Sequence, residues 1–340
     1  MQTPDPATSS SSSPAPPSTS VRVCVLGSIN MDLVVRAPSL PVPGETLLGT
    51  SFTTTPGGKG ANQAAAAARA GAMVSMIGCV GDDAYGGVMR EILRNEGIDV
   101  GHVQVRAGIP TGIAVITVAE KAGENTIVVA TGANATLLAA DADVARHSIS
   151  GADLLLVQLE TPMDVVIEAA RIAKEAGVTV MLNAAPGRKL PWDLLAVVDV
   201  LLVNRSEAVT ILAAATMGVD EDELRGLSVE RQLEGLERLG PATIVMTLGA
   251  EGAIVSHGRV HTRIAAFGVS AVDTVGAGDA FCGYFAARWA EHQVGGGIDA
   301  ATIADSVTWG CAAGAVAATK KGAITALPTR SEVVKRLCER

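Results

Sequence analysis

Residues 153–184, DLLLVQLETPMDVVIEAARIAKEAGVTVMLNA, contain the pattern that decides the fold class. Two short apolar runs, at 153–159 and 178–184, have the length and composition of buried strands. Between them, residues 163–177 place apolar side chains three and four positions apart, which predicts an amphipathic helix. Its last residue, Gly177, can adopt the left-handed conformation that ends helices. The stretch therefore predicts a strand, a helix and a second strand in succession.

The same alternation continues on both sides of this unit. Further apolar runs typical of strands are VRVCVLG at 21–27, VDVLLVN at 198–204 and ATIVMTLG at 242–249. Alternating strands and helices predict a mostly parallel sheet covered by helices on both faces. In such folds, ligands bind outside the carboxyl ends of the strands. We therefore expect an α/β protein of three layers, with its site at that edge.

Two regions interrupt the alternation. LVVRAPSLPVPGETLLGTSFTTT at 33–55 and the pair GIAVITVA and NTIVVATG within 112–132 predict strands without helices between them. The segment EKAGEN joins the latter pair like a hairpin turn. These strands are expected to form a small second sheet. With one face towards the carboxyl edge of the main sheet, it would form a lid over a ligand.

Composition limits the classes of function. The chain has 340 residues, of which 48% are hydrophobic and 3% aromatic, so it can bury a full core of aliphatic residues. Its net charge of -9 provides no broad basic surface of the kind that displaces counterions from nucleic acids. The apolar stretches are shorter than the roughly 18 to 20 residues of a membrane helix. Neither a nucleic-acid partner nor a membrane is expected.

Residues 1–20, rich in serine and proline, predict a disordered tail, so the folded domain is expected at 21–340. The tail has neither the apolar region of a secretory signal nor the arginine-rich amphipathy of a mitochondrial presequence. Its composition leaves a plastid transit peptide open. The five cysteines are scattered without C-x-x-C spacing, which indicates neither a disulfide framework nor a zinc site. We therefore expect a cytoplasmic protein.

The first glycine cluster is PGGKGANQAAAAARAG at 56–71. Its paired glycines allow close backbone approach, and the alanine-rich part favours a helix. We expect free N–H groups near Gly60 and Ala61, where a polar ligand could bind. The run does not match G-x-x-x-x-G-K-[ST], so Lys59 is not predicted to be a P-loop lysine. The alternative is an ordinary glycine-rich turn before a surface helix.

The second cluster, DTVGAGDAF at 273–281, places three small residues before an acid. Small residues at a helix start leave N–H groups unpaired, and the helix dipole adds about half a positive charge. The backbone of Gly276, Ala277 and Gly278 could therefore hold an anion. Asp279 would then orient and deprotonate a hydroxyl that attacks phosphorus. Alternatively, Asp279 caps the helix through its own side chain, and the motif alone leaves both interpretations open.

Five motifs occur together in the chain, in an order typical of one enzyme family. With them the chain resembles the ribokinase family of carbohydrate kinases, also called PfkB, from about Val21 to the C-terminus. The resemblance implies a ribokinase-like three-layer αβα sandwich with a small β-sheet lid. It also implies ATP-dependent phosphorylation of D-ribose at the 5-hydroxyl, with Mg²⁺. The motifs are GSINMD (27–32), GGKGANQA (57–64), NRSE (204–207), TLGAEG (247–252) and DTVGAGDAF (273–281).

The resemblance also implies roles for individual residues. Asp279 matches the catalytic base, with the backbone of Gly276, Ala277 and Gly278 as the anion hole. Glu207 matches a residue that organises Mg²⁺ through water, although N-x-x-E spacing is also that of a helix-start capping box. The sugar site is implied for Asn30, Asp32, Gly58, Lys59, Asn62 and Glu160. The nucleotide site is implied for Asn204, Thr247, Leu248, Gly249, Ala250, Glu251, Gly252, Gly278 and Cys311.

A monovalent cation, K⁺, is further implied beside the anion hole. Asp273 matches its carboxylate ligand. Ala326 stands where a serine oxygen is common in the family, so one ligand is expected to be lost or replaced by water. A homodimer formed through the lid sheets is implied as well, since pairing would cover their exposed edges. The other implied cation ligands are backbone carbonyls of Val275, Ala317, Lys320 and Gly322, together with that of Ala326.

The residues leave alternatives for the substrate and for the class of function. The same chemistry could act on deoxyribose, a ketohexose, 2-keto-3-deoxygluconate or a nucleoside. The scarcity of aromatic residues near the lid argues against a nucleoside, because binding a base usually recruits them. A non-catalytic sugar-binding regulatory protein would not need an acid beside an anion hole. An oxidoreductase is disfavoured because no G-x-G-x-x-G follows a strand.

Overall fold

The computed structural model describes residues 20–120, 124–216 and 219–339. The predicted tail, except Ser20, and residues 121–123 of the predicted hairpin turn lie outside these ranges. The strands are β1 (Arg22–Leu26), β2 (Asn30–Ala37), β3 (Ser51–Gly57), β4 (Met73–Gly81), β5 (Asp99–Arg106), β6 (Gly112–Ala119), β7 (Asn125–Ala130), β8 (Leu154–Val157), β9 (Thr179–Asn183), β10 (Val200–Asn204), β11 (Thr243–Thr247), β12 (Ala253–His257) and β13 (Val260–Ile264).

The helices pack on this framework. They are α1 (Lys59–Arg69), α2 (Ala84–Asn95), α3 (Ala139–Val144), α4 (Arg146–Ser150), α5 (Met163–Glu175), α6 (Trp192–Leu195), α7 (Arg205–Ala215), α8 (Glu221–Gly226), α9 (Val229–Glu237), α10 (Ala277–Gly295), α11 (Ala300–Ala317) and α12 (Arg330–Cys338). In the ranges that the structure describes, none of them is long and apolar enough to cross a bilayer.

The main sheet has nine strands in the spatial order β13-β12-β11-β10-β9-β8-β1-β4-β5. Neighbouring strands pair in parallel, except that β12 runs antiparallel to both β11 and β13. The prediction of a mostly parallel sheet is therefore confirmed. The apolar runs quoted above correspond to β1, β8, β9, β10 and β11.

Helices cover both faces of the main sheet. In β1, Val23 and Val25 belong to one hydrophobic core, whereas Cys24 and Leu26 belong to the other. This division follows from strand geometry, because successive side chains point to opposite faces. Helices α1, α2, α10, α11 and α12 enclose the first core, and α3 to α9 enclose the second. The predicted three-layer α/β architecture is confirmed.

Helix α5 shows how the sequence specifies one of these elements. Its apolar residues recur three and four positions apart, so one stripe, including Val165, Ala169 and Ile172, is buried against the sheet. The chain then leaves the helix at Gly177, whose φ of 73° lies in the left-handed region. The helix predicted over 163–177 therefore forms, and it ends as expected.

The small sheet has four strands in the order β3-β2-β6-β7. Strand β2 pairs antiparallel with β3 and parallel with β6, and β6 pairs antiparallel with β7. Strand β2 begins at Asn30, earlier than the boundary predicted at residue 33, because Asn30 already pairs with Gly57 and Gly112. Since β2 follows closely after β1, the small sheet is attached at the carboxyl end of the main sheet.

Candidate active site

Three neighbouring cavities lie where the parallel strands of the main sheet end. The first cavity, of about 340 Å³, is lined by Asn30 and Glu160 among others. The central cavity, of about 180 Å³, contains Lys59, Glu207 and Asp279. The third, of about 380 Å³, shares Thr247, Gly278 and Phe281 with the central one. Residues from distant motifs thus converge on one cleft.

The start of helix α10 forms the backbone of the central cavity. Gly276 is its N-cap and has φ 76°, and an added Cβ would lie 3.0 Å from Cα of Ala323. The N–H of Ala277 donates to the carbonyl of Thr274 over 3.2 Å. The prediction that the N–H of Ala277 is free to hold an anion is therefore wrong. Among the described residues, no backbone acceptor faces the N–H groups of Gly276 and Gly278, which lie at the positive end of a 19-residue helix.

Asp279 does not cap its own helix, so that alternative interpretation is wrong. Its carboxylate instead accepts hydrogen bonds from helix α1: Asn62 Nδ2 donates to Oδ2 over 2.8 Å and Gln63 Nε2 donates to Oδ1 over 2.9 Å. Burial raises the pKa of Asp279, while Lys59 and the two amides act against this rise. The carboxylate is held in the cavity rather than against the backbone.

Asp32, in strand β2, is a second buried carboxylate. It is 7% exposed, and within the described chain its carboxylate accepts no hydrogen bond. Burial, reinforced by the charges of Glu160 and Asp279, raises its pKa to about 7. A Cβ on Gly57 of the neighbouring strand would lie only 2.4 Å from both carboxylate oxygens, so glycine is required there. The group is poised to accept hydrogen bonds from a ligand.

Lys59 supplies the positive charge among these carboxylates. Its Nζ lies 3.7 Å from Oε1 of Glu160. Although burial lowers the pKa of Lys59, the charges of Asp279, Glu160 and Glu207 outweigh burial and hold that pKa above its ordinary value. Lys59 therefore remains an ammonium ion. Gly58, also predicted at this wall, is the N-cap of α1 and has φ 91°.

The predicted free donors at the start of α1 are absent in the structure. The N–H of Gly60 donates to Oγ of Ser28 over 3.5 Å, and that of Ala61 donates to the Ser28 carbonyl over 3.0 Å. The N–H of Lys59 donates to Oε2 of Glu160 over 3.3 Å. The loop after β1 and the segment after β8 thus satisfy these groups internally, so the prediction was wrong.

The third cavity collects most of the predicted nucleotide residues. Leu248 packs against the hydrophobic core and Glu251 is exposed, so neither lines it. Asn204 lines the central cavity instead. Aromatic walls are provided by Phe267 and Phe281. The predicted residues that do line the third cavity are Thr247, Gly249, Ala250, Gly252, Gly278 and Cys311.

Asn204 and Glu207 form a capping box at the start of α7. Oδ1 of Asn204 accepts from the N–H of Glu207, and Oε2 of Glu207 accepts from the N–H of Asn204, both over 2.8 Å. The capping interpretation of N-x-x-E is therefore confirmed. Burial raises the pKa of Glu207. Because its other oxygen, Oε1, makes no hydrogen bond within the described chain, the carboxylate can also serve the central cavity.

Asp273 joins the loop before α10 to the loop after α11. Its Oδ1 accepts from the N–H of Val275 over 3.0 Å, and its Oδ2 accepts from the N–H of Gly322 over 3.1 Å. The carbonyl of Ala317 accepts from the N–H of Lys320 at the end of α11. Ala326 is buried in the short 3-10 helix Ile324–Ala326. The residues predicted to hold a cation therefore come from the loop before α10, the end of α11 and the segment that follows it.

Three buried amides beside Asp279 were missed by the sequence reasoning. Gln63 and Gln158 have no exposed surface, and Asn183 is 8% exposed. A signal existed for Gln63, which stands in the GGKGANQA motif directly after Asn62. Neither Gln158 nor Asn183 belongs to a motif. They come close to Asp279 only because α1 packs against the ends of β8 and β9.

Comparison with known proteins gives a consistent result. The pattern of the pfkB family carbohydrate kinases matches residues 21–330. The chain is 41% identical over 313 residues to a ribokinase of Haemophilus influenzae, covering 92% of this chain and 97% of that protein. It is 38% identical over 315 residues to a ribokinase of Bacillus subtilis, covering 93% and 99%. The structure of Arabidopsis thaliana ribokinase complexed with ribose and ATP superimposes with a TM-score of 0.81, at 28% identity, covering 94% and 99%.

Proposed function

This chain belongs to the pfkB family of carbohydrate kinases, and we propose that it transfers the terminal phosphoryl group of ATP to the 5-hydroxyl of D-ribose. Its similarity to ribokinases along nearly their whole length supports this activity. One observation carries the proposal. Asp279 lines one cavity together with Gly276 and Gly278, whose N–H groups have no backbone acceptor among the described residues, and with Lys59, whose Nζ lies 3.7 Å from Glu160.

The arrangement suits in-line phosphoryl transfer. The N–H groups of Gly276 and Gly278 stabilise negative charge on the transferring group, aided by the helix dipole. Asp279 orients the attacking hydroxyl and accepts its proton late, since the transition state is loose. The raised pKa of Asp279 makes it a better proton acceptor than an ordinary aspartate. Lys59 offsets the charge of the surrounding carboxylates.

Glu207 and Asn204 are suited to Mg²⁺ bound through water. Glu207 keeps Oε1 available while Oε2 serves the capping box, and a partly hydrated Mg²⁺ prefers such oxygen ligands. When bound with ATP, Mg²⁺ neutralises charge on the phosphates. The protein's own contribution is to hold the Glu207 carboxylate rigidly at the cavity through the cap.

The polar groups on the sugar side favour a neutral polyol. Asp32, Glu160 and Asp279 are hydrogen-bond acceptors for hydroxyl groups. Oδ1 of Asn62 is buried without a partner in the described chain, so it too can accept from a hydroxyl. Among the described residues, the first cavity is lined by no aromatic side chain that could stack on the base of a nucleoside.

A substrate panel tests this proposal. The purified protein is assayed with ATP and Mg²⁺ on D-ribose, 2-deoxyribose, fructose, 2-keto-3-deoxygluconate and adenosine, and ³¹P NMR locates the phosphate on the product. We expect the highest kcat/KM for D-ribose and a 5-phosphate. A preference of roughly tenfold or more for fructose or adenosine would overturn the choice of substrate. Sugar binding without turnover would instead support the regulatory alternative.

A monovalent cation is proposed beside the anion hole. Asp273 offers carboxylate oxygens, each of which accepts one backbone N–H, and carboxylate and carbonyl oxygens are the ligands that replace the hydration shell of K⁺. An ion there would stiffen the loop that carries Gly276 without contacting the sugar. We expect K⁺ to raise kcat more than Na⁺ at equal ionic strength. Equal rates in the two salts would contradict a selective cation site.

A cytoplasmic homodimer is the proposed form of the protein. The face of the small sheet opposite Asp32 exposes Phe52, Val115 and Val128, at 60%, 41% and 67% of their surfaces. A second copy paired through this sheet would cover them together with the edge strands. Buried Cys24, Cys79 and Cys282 are thiols, which is consistent with a reducing compartment.

A further inference from the structure

Gln63, Gln158 and Asn183 form a buried group that we call the amide cluster. Nε2 of Gln63 donates to Oδ1 of Asp279 over 2.9 Å and to Oδ1 of Asn183 over 3.0 Å. Nε2 of Gln158 donates to Oε1 of Gln63 over 2.7 Å. Nδ2 of Asn183 donates to the carbonyl of Leu202 over 3.4 Å. The cluster therefore connects the carboxylate to three strands of the main sheet.

The charge of Asp279 dictates how each amide is oriented. An ionised carboxylate only accepts hydrogen bonds, so Gln63 must turn its NH₂ group towards it. The carbonyl oxygen of Gln63 then faces Gln158, which must donate. The second N–H of Gln63 requires an acceptor, so Asn183 must present its oxygen. Reversing any one amide would bring two acceptors or two donors together.

Because the amide cluster is buried, each of these hydrogen bonds must be satisfied within the protein. Gln63 and Gln158 have no exposed surface, so water cannot replace a lost partner. A buried polar group without a partner costs about 1 to 3 kcal/mol. Gln158 does not touch Asp279, and its effect on the carboxylate must pass through Gln63. Gln63 therefore contacts the carboxylate of Asp279 directly and Gln158 acts on it through Gln63, but both affect the same carboxylate.

We propose that Gln63 and Gln158 are positioning residues, which fix the side chain of Asp279 towards the acceptor hydroxyl and direct only hydrogen-bond donors at its carboxylate. The inference rests on the proposed function, in which Asp279 is the base. It adds a second layer behind the site, because Gln158 controls the amide of Gln63 and Gln63 controls the carboxylate.

Substitutions at both glutamines test the proposal. Gln63→Met keeps the volume and removes the donor, and we expect kcat to fall roughly 10- to 100-fold while the KM for ribose changes less than about twofold. The acidic limb of the kcat-pH profile should move to higher pH, because the carboxylate loses a donor that favours its charged form. Gln158→Met should act in the same direction but more weakly.

Gln158→Glu separates this role from simple packing. At pH values above the pKa of this buried carboxyl, where kcat is compared, the ionised glutamate only accepts, so it would attract the NH₂ of Gln63 and turn the Gln63 carbonyl towards Asp279. We therefore expect a larger loss of kcat for Gln158→Glu than for Gln158→Met. Equal losses for the two variants, or a wild-type kcat and pH profile for Gln63→Met, would overturn the proposal. If Gln63→Met does not fold, the Gln158 pair carries the test.

Gln232 provides the matched control. It is fully buried in α9, and its Nε2 donates to the carbonyl of Leu224 over 2.8 Å. Gln232→Met should lower the free energy of unfolding without changing kcat or the pH profile.

A wild-type protein inactive on every sugar would defeat the proposed function alone. Crystal structures of the wild type and Gln158→Glu then decide the amide cluster. The Asp279 carboxylate should withdraw from Gln63 in the variant, and an unmoved carboxylate would contradict the inference.

Discussion

Asp32 shows, at the scale of a residue, how a buried carboxylate in the proposed sugar site lowers the stability of the fold. Its pKa is raised from 3.8 to about 7, first by burial and then by Glu160 and Asp279. Between these two values the folded state binds more protons than the unfolded state. The free energy of unfolding therefore falls as pH rises through that window. A sugar hydroxyl that donates to Asp32 would compensate part of this loss.

We therefore predict that Asp32→Asn is more stable than the wild type at pH 8 and loses that advantage by about pH 4. The displacement of the pKa limits the gain to at most about 4 kcal/mol. The KM for ribose should rise, because the charged acceptor is gone. Urea unfolding at both pH values measures the stability.

The exposed helix cap Asp299, whose pKa is lowered by hydrogen bonds from Thr302, supplies the control. Asp299→Asn should not become more stable than the wild type at pH 8. An Asp32→Asn protein less stable than the wild type at pH 8 would contradict the account.

At the scale of elements, two glycine-rich helix starts behave differently. At α10 the N–H groups of Gly276 and Gly278 remain available, whereas at α1 Ser28 and Glu160 occupy the donors. The sequence predicts that both segments begin helices, because the glycines and the alanine-rich run that follows are local features. It could not predict which N–H groups are satisfied, because their partners come from other parts of the chain. The amide cluster escaped prediction for the same reason.

Gly276→Ala tests the start of α10. Alanine at φ 76° is strained, and its Cβ would lie 3.0 Å from Cα of Ala323, so the loop must shift. We predict a loss of about 1 to 2 kcal/mol in the free energy of unfolding and a fall in kcat of roughly tenfold or more.

Gly258→Ala is the control for Gly276→Ala, because Gly258 has φ 57° with nothing within 4 Å of an added Cβ. It should lose stability through the same backbone strain and keep its kcat. A Gly276→Ala enzyme with unchanged kcat would show that this helix start does not contribute to turnover.

At the scale of the whole molecule, the topology brings distant motifs to one edge. Alternating strands and helices were enough to predict the parallel sheet, its two covered faces and a cleft at the carboxyl ends. The order of the nine strands and the antiparallel pairing of β12 were not predictable from periodicity, since apolar runs do not specify their neighbours. Asp279, Lys59 and Asp32 were predicted through motifs, and the sheet explains why they meet.

The proposed homodimer gives a prediction at this scale. Val128→Glu places a charge on the outer face of β7, where 67% of the valine is exposed, and it should convert a dimer into monomers in sedimentation velocity. Val260→Glu, at a valine 65% exposed on β13, should leave the dimer intact. A monomeric wild type, or a dimeric Val128→Glu protein, would contradict pairing through the small sheet.

The most direct test of the account is to remove the base and keep its shape. Asp279→Asn should reduce kcat by roughly 10³-fold or more, while calorimetry finds the Kd values of ribose and ATP within about threefold of the wild type. Gln63 can still donate to the oxygen of the new amide, and Asn62, whose Oδ1 has no partner among the described residues, can turn to accept from its NH₂ group, so the cavity should keep its form. A variant that binds both substrates and turns over at nearly the wild-type rate would contradict the assignment of Asp279 as the base.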